Sequence, residues 1–242
     1  MANTWFRFKQ FTITQQRSAM KVSTDACIQG AWTAAFIGKQ SNGNIDILDI
    51  GTGTGLLSLM LAQQLPLATI DAIDTDADAA VEAAFNFSAS PWHHRLSIRQ
   101  TALQVYPADK QYDHIICNPP FFHNQLHASD IARNTARHDI MLSKKDLAGY
   151  AAVLLKKNGY MSVMFPASEW DEWMTTTLDT GLALHALLRI YPRKDRPANR
   201  IVGIFSHTVS LQQQSHELII REEPDQYSAA FSALMQPYYL NL

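Results

Sequence analysis

Ile45-Asp46-Ile47-Leu48-Asp49-Ile50 runs directly into Gly51-Thr52-Gly53-Thr54-Gly55, and Leu56 to Leu65 follows. The first six residues read as a strand and the next five as a tight glycine turn. The last ten read as a helix with Leu57, Leu61 and Leu65 on one face, stopped by Pro66. A strand that turns on glycines into a helix opens an alternating α/β chain. The glycine spacing narrows what the turn can hold. In G-x-G-x-x-G a helix N-terminus faces a pyrophosphate, whereas here the third glycine comes one residue early. Asp49, just before the turn, repels phosphates and suits a ligand carrying a cationic amine.

Working outward, Thr69 to Asp74 reads as a second strand ending in an acid, and Asp76 to Ser88 as a helix broken before Pro91. Leu96 to Arg99 and Tyr112 to Cys117 follow as strands, then Ser143 to Lys156 as a helix with Gly159 past its end. Tyr160 to Phe165, Leu184 to Ile190 and Ile201 to His207 are further strands, with helices over Ser168 to Thr180 and Asp225 to Gln236. Upstream, Trp5 to Thr14 reads as one or two short strands. Thr24-Asp25 starts a helix with Thr24 as its cap, and the small-residue stripe from Ala26 to Ala35 calls for close packing. The pattern predicts a doubly wound, mostly parallel sheet with a final antiparallel hairpin. Asp74, ending the second strand, is placed to bond two ribose hydroxyls. S-adenosylmethionine has that ribose, an amine and a sulfonium, and no phosphate.

The second decisive stretch is Cys117-Asn118-Pro119-Pro120-Phe121-Phe122. Two prolines cannot continue a hydrogen-bond ladder, so the chain leaves the sheet at Asn118. That makes a stiff turn at a strand's carboxyl end, where open α/β sheets hold ligands. The Asn118 side-chain oxygen and the Pro119 carbonyl can accept both N–H groups of a planar amino group. This localises a lone pair that conjugation otherwise delocalises, while Phe121 stacks on the plane. The plainer alternative is an Asn-capped turn followed by a core phenylalanine.

Composition sets the bounds. The chain has 242 residues, 47% hydrophobic and 17% charged, with net charge −2. That is enough for one large α/β domain over 1–242, with 1–38 lying over the site and 45–242 as catalytic core. No apolar run approaches transmembrane length, the first ten residues lack a signal core, and the two cysteines are isolated. A cytoplasmic monomer without membrane or metal partners is the expectation. His123 and His127 are four apart, but no third ligand accompanies them. Trp170 and Trp173 read as helix-face packing. Positive charge is concentrated in Arg7, Lys9, Arg17 and Lys21, and again from Arg189 to Arg200.

Taken together, the sequence resembles class I S-adenosylmethionine-dependent methyltransferases of the N-P-P-[YF] amino-group type. It is most similar to the bacterial tRNA1(Val) adenine-37 N6-methyltransferases, over almost its whole length. The resemblance is carried by Phe8-Lys9-Gln10-Phe11, Met20-Lys21-Val22-Ser23-Thr24-Asp25 with Gly30-Ala31-Trp32, Leu48 to Gly53, Asn118 to Phe121, and Asp225-Gln226-Tyr227-Ser228. It implies a seven-stranded sheet with S-adenosylmethionine as cofactor. The cofactor would be held by Lys21, Thr24, Asp25, Asp49, Gly51, Gly53, Gly55, Asp74, Ala102, Leu103 and Asn118. Many relatives have an acid where Thr101-Ala102-Leu103 stands here, and Phe121 replaces a common tyrosine.

The expected activity is N6-methylation of a tRNA adenine, with Asn118, Pro119, Pro120 and Phe121 catalytic. Arg7, Lys9, Arg133, Arg137, Arg193 and Lys194 would meet RNA phosphates. The rivals are N5-glutamine methylation of a protein such as a release factor, amino-methylation of rRNA or DNA, and a non-catalytic RNA-binding scaffold. A nicotinamide oxidoreductase is disfavoured by the glycine spacing.

Overall fold

The computed structural model describes residues 3–41, 43–119, 142–209, 212–223 and 226–242. Pro120, Phe121, His123, His127, Arg133 and Arg137 lie outside them. Strands β1 (Trp5–Arg7) and β2 (Thr12–Thr14) form a hairpin ahead of helix α1 (Thr24–Gln40). Then come β3 (Ile45–Ile50), α2 (Leu56–Gln64), β4 (Ala68–Asp74), α3 (Ala77–Ser88), β5 (Leu96–Gln100) and β6 (Tyr112–Cys117). The second half holds α4 (Lys144–Leu154), β7 (Leu155–Pro166), α5 (Trp170–Leu178), β8 (Ala183–Arg193) and β9 (Arg200–Ser206). It closes with β10 (Gln214–Glu223), β11 (Gln226–Tyr227) and α6 (Ala229–Met235).

The main sheet runs β11-β10-β8-β9-β7-β6-β3-β4-β5. Strands β3 to β7 pair in parallel, and β9 runs antiparallel between β7 and β8, as the expected hairpin. Chain order reverses beside β3, so a crevice opens at the carboxyl ends of β3 and β6. The sheet has nine strands among the described residues rather than the expected seven. The addition is β10, parallel to β8, with the short β11 on its outer edge.

Three boundaries depart from the sequence reading. Ser23, not Thr24, caps α1, accepting from the Ala26 N–H at 3.2 Å. Helix α4 stops at Leu154, because Leu155 is already buried in the ladder opposite Tyr112. Gly159 therefore lies inside β7 instead of ending a helix, where a Cβ would come 2.8 Å from the Asp113 carbonyl oxygen. The last helix is shorter than expected, beginning after Ser228, which caps it through the Phe231 N–H.

Close packing of α1 is real. A Cβ on Gly30 would come 2.8 Å from the Met60 sulfur of α2 and 3.2 Å from its Cβ, so glycine suits this close helix approach. Trp170 and Trp173 are buried against Phe205, and Trp173 also against Phe165, as helix-face packing. No helix is long and apolar enough to cross a membrane among the described residues.

Helix α3 carries two polar groups that fasten the N-terminal segment. Glu82, 3% exposed, accepts the backbone N–H groups of Gln16, Arg17 and Ser18. Asn86 accepts from the Thr14 N–H at 2.9 Å and donates to the carbonyls of Thr14 and Thr54. One helix thus ties the hairpin to the glycine turn. From the other side, Phe6 and Phe8 pack on Tyr239, and the Lys9 N–H donates to the Tyr238 carbonyl.

Candidate active site

Register puts the key residues in one row. Ile50 pairs with Ile73 on one side and Cys117 on the other. The next residues, Asp74, Gly51 and Asn118, therefore stand level at the carboxyl ends of three adjacent strands. Thr101, Ala102 and Leu103 follow from β5, whose Gln100 pairs with Asp74. The sequence-predicted cofactor residues of the core come together along this edge.

The glycine turn is built for a close ligand. Gly51, Gly53 and Gly55 have φ of 69°, 56° and 82°, a left-handed region that side chains avoid. A Cβ on Gly51 or Gly53 would meet nothing within 4 Å, so both face open space. Gly55 is different, because a Cβ there would strike the Phe87 ring at 2.5 Å. Its role is helix packing as well as turn geometry, and it does not stand in the open cradle.

Asp49 is fully buried. One of its oxygens accepts from the hydroxyls of Thr52 at 2.7 Å and Ser58 at 2.6 Å. The other, Oδ1, is buried with no hydrogen-bond partner. Burial raises the carboxyl; the Ser58 and Thr52 bonds lower it, Asp74 raises it again, and the balance is about 6. Asp74 is half-buried, accepting from the Gly53 N–H at 2.8 Å and the Asp76 N–H at 2.9 Å. A carboxylate offers about four lone-pair positions, so two remain for ligand hydroxyls.

At the proline turn, Asn118 has its Oδ1 buried without a partner, and Pro119 is buried. Pro120 and Phe121 lie outside the described residues. The strand end before Asn118 is pinned by Gln29 of α1, fully buried, whose Nε2 donates to the Cys117 carbonyl at 2.9 Å. Sequence reasoning missed Gln29, Thr52, Ser58, Glu82 and Asn86. A lone glutamine in a stripe of small apolar residues, and a lone serine inside Leu56-Leu57-Ser58-Leu59-Met60, were the available signals.

Other expected contacts resolve differently. Lys21 has partners within its own segment. Its ammonium is bonded to the Gln15 and Ser18 carbonyls, so it holds the segment before α1 in shape. The Leu103 side chain packs in the core with Leu48, Ile50 and Ile73, leaving the partly exposed Ala102 nearer the surface. Asp25 pairs with Arg200 at 3.1 Å, and burial raises its carboxyl while Arg200 pulls it back. Lys9 donates to the Gln236 carbonyl, which makes it a fastening as well as a charge. Arg7 and Lys194 are exposed, and Arg193 pairs with Asp195 at 3.3 Å. Among the described residues, no three His, Cys, Asp or Glu side chains are grouped to hold a metal.

The geometry fits a ligand with a cationic amine and a ribose. Two glycines leave room for it, one buried acid oxygen lacks a partner, and a second acid keeps free lone pairs. Asp49 gives a pH test of that fit. Its ionised form is the one that attracts a cation, and it is protonated below about 6. Affinity for S-adenosylmethionine should therefore fall as pH drops through 6, approaching tenfold per pH unit below it. Calorimetry in two buffers should show proton release on binding near pH 6. Asp74→Ala should weaken the same affinity by about 1.5–3 kcal/mol, the scale of lost charge-assisted hydrogen bonds.

Comparison with known proteins identifies the family. Residues 34–163 match the family model described as the methyltransferase small domain. A tRNA1(Val) (adenine(37)-N6)-methyltransferase of Cytophaga hutchinsonii is 36% identical over 100% of both chains. One from Vibrio vulnificus is 39% identical over 98% of this chain and 96% of its own. Among solved structures, a predicted O-methyltransferase from Agrobacterium tumefaciens superposes with a TM-score of 0.65 at 16% identity, covering 90% of this chain and 99% of its own. A putative RNA methyltransferase from Pyrococcus horikoshii gives 0.55 at 18% identity, covering 78% of this chain and 86% of its own. These two likenesses concern the fold, while the full-length similarity to the former pair decides the family. The chain belongs to the tRNA1(Val) (adenine(37)-N6)-methyltransferase family, and its core is a methyltransferase small domain.

Proposed function

We propose that the protein transfers a methyl group from S-adenosylmethionine to the N6 nitrogen of an adenine in tRNA, at position 37 of tRNA1(Val) as in its relatives. The observation that carries the reading is the row Asp74–Gly51–Asn118. It sets a glycine cradle between an acid suited to ribose and an amide suited to an amino group. Bound there, S-adenosylmethionine supplies an electrophilic methyl on a sulfonium. Asp49 would hold the cofactor amine and Asp74 the ribose hydroxyls, over the open faces of Gly51 and Gly53.

The chain's own part is positioning. The Asn118 Oδ1 and the Pro119 carbonyl accept the two N–H groups of the target amine, drawing its lone pair toward the methyl. Gln29 keeps Asn118 in place by holding the Cys117 carbonyl. A preorganised acceptor needs no reorganisation at the moment of transfer, which is where its advantage lies. No general base is needed beforehand, because the nitrogen becomes acidic only once methylated. Phe121 would stack on the flipped base. A cytoplasmic monomer is the corresponding expectation.

Labelled S-adenosylmethionine offered with total tRNA, rRNA, DNA and a release factor in parallel tests the reading. Label confined to tRNA supports it. Label in release factor favours glutamine methylation, and label in none, without cofactor binding, favours a scaffold. Basic segments should position the RNA, since a net charge of −2 cannot. Removing charge at Arg7, Arg193 and Lys194 together should raise the tRNA dissociation constant and flatten its salt dependence. Cofactor affinity should be unchanged. A variant with the parent's salt slope would show these to be solvated faces.

A further inference from the structure

A second cavity, of about 620 Å³, opens beside the first turn of α1. Thr24, Arg193, Arg196, Asn199, Arg221 and Tyr227 line it. Strands β8 and β10 run parallel to β7, so their carboxyl ends, where Arg193 pairs with Arg221, share the sheet edge that carries Asn118. In register Asn118 is level with Met164, Val202 and Leu188, so Arg193 lies five residues further along β8 and three strand spacings across, about 16 Å and about 14 Å at the usual spacings. That is the reach of a nucleotide a few positions from one held at Asn118.

The cavity's chemistry is specific. Among the described residues three guanidiniums line it, and Asp195, 66% exposed, is shared by Arg193 at 3.3 Å and Arg196 at 3.9 Å. A phosphate could take that acid's place, because an exposed pair in water is weak. The Arg196 N–H donates to the Arg193 carbonyl, which closes the turn and holds both residues at the rim. Beside them Tyr227 stacks on Phe231 at 4.6 Å, and the Arg221 guanidinium lies over the Tyr227 ring at 4.4 Å. This column fixes a guanidinium plane, and RNA bases stack on such planes. Pro197 stiffens the loop, and with Pro192 at the end of β8 it adds apolar lining among the charges.

We propose that this cavity is a nucleotide subsite for a single-stranded residue a few positions from the target, with its phosphate on Arg193 and Arg196 and its base on Arg221. It rests on the tRNA-methylation reading and extends it to a second nucleotide of the same strand. The Asp25–Arg200 pair joins the loop's end to α1, so the subsite is braced against the segment beside the cofactor.

The test combines Arg196→Gln and Arg221→Gln with tRNA carrying single methylphosphonate linkages around the target. Each variant should raise KM for tRNA about tenfold, with kcat and cofactor affinity as in the parent. One neutral linkage within a few nucleotides of the target should raise the parent's KM as much, and cost nothing further in Arg196→Gln. Arg196 is an exposed side chain, so that variant will fold even if Arg221→Gln does not. Effects that add at every linkage, or an unchanged KM, would overturn the subsite while leaving the methylation reading intact. A parent that methylates no RNA would overturn both.

Discussion

Asn118→Ala should bind S-adenosylmethionine almost as the parent does and transfer its methyl about a hundred- to a thousandfold more slowly in single turnover. The expected separation of binding from transfer follows from the site's geometry. The Asn118 Oδ1 is buried with no partner, so the free protein loses no hydrogen bond when it is removed. A buried acceptor left unpaired is itself a cost, so thermal stability should be unchanged or slightly improved. A variant that is stable, binds cofactor and fails to transfer would place the loss in the reacting complex. Single-turnover rates within threefold of the parent would remove Asn118 from catalysis.

The second large effect concerns Glu82, far from the chemistry in sequence. Its carboxylate answers three successive backbone N–H groups, at Gln16, Arg17 and Ser18. Burial alone would raise this carboxyl, but the bonds from Arg17, Ser18 and Gln16 outweigh it and hold the group below the usual glutamate range. A depressed folded pKa stabilises the protein above the ordinary glutamate value of 4.5, and that contribution is lost as pH falls through the folded value. Glu82→Ala should cost about 3 kcal/mol at neutral pH, since the buried Ser18 N–H is left unpaired and two part-buried neighbours must rehydrate. Denaturant titration measures it. Proteolysis should cut the variant first near residues 15–21 while the core stays intact. If the variant unfolded at the parent's midpoint and resisted cleavage there, the carboxylate would not be the fastening it looks to be.

How much of this could be read beforehand depended on whether the information was local. The strand–glycine–helix unit at 45–65 and the proline turn at 117–120 announce themselves, because glycine and proline act through their own backbone. Strand β10 did not. Of its ten residues only Leu218 is buried, so Gln214 to Glu223 shows no apolar alternation, and pairing with β8, and at its end with β11, makes it a strand. The start of β7 was hidden similarly, since Lys156-Lys157-Asn158 reads as a fraying helix end. In the site, Asp49 and Asp74 were legible from their place at strand ends. Gln29 and Glu82 act across separations of 88 and 64 to 66 residues, and no local pattern encodes such a partner.

The double fastening of the N-terminal hairpin also governs when, during synthesis, the molecule becomes complete. Strands β1 and β2 leave the ribosome well before their partners are made. Asn86 follows Thr14 by 72 residues, and Lys9 reaches Gln236 across 227. Phe8 and Phe11, buried in the finished protein, can pack on Phe6 and each other early, but Trp92 against Phe11 and Tyr239 against Phe8 come later. Tyr238 and Tyr239, which close the seat from the far side, arrive later still. This early segment is thus among the last to be seated, and its full set of contacts exists only in chains translated through Tyr239.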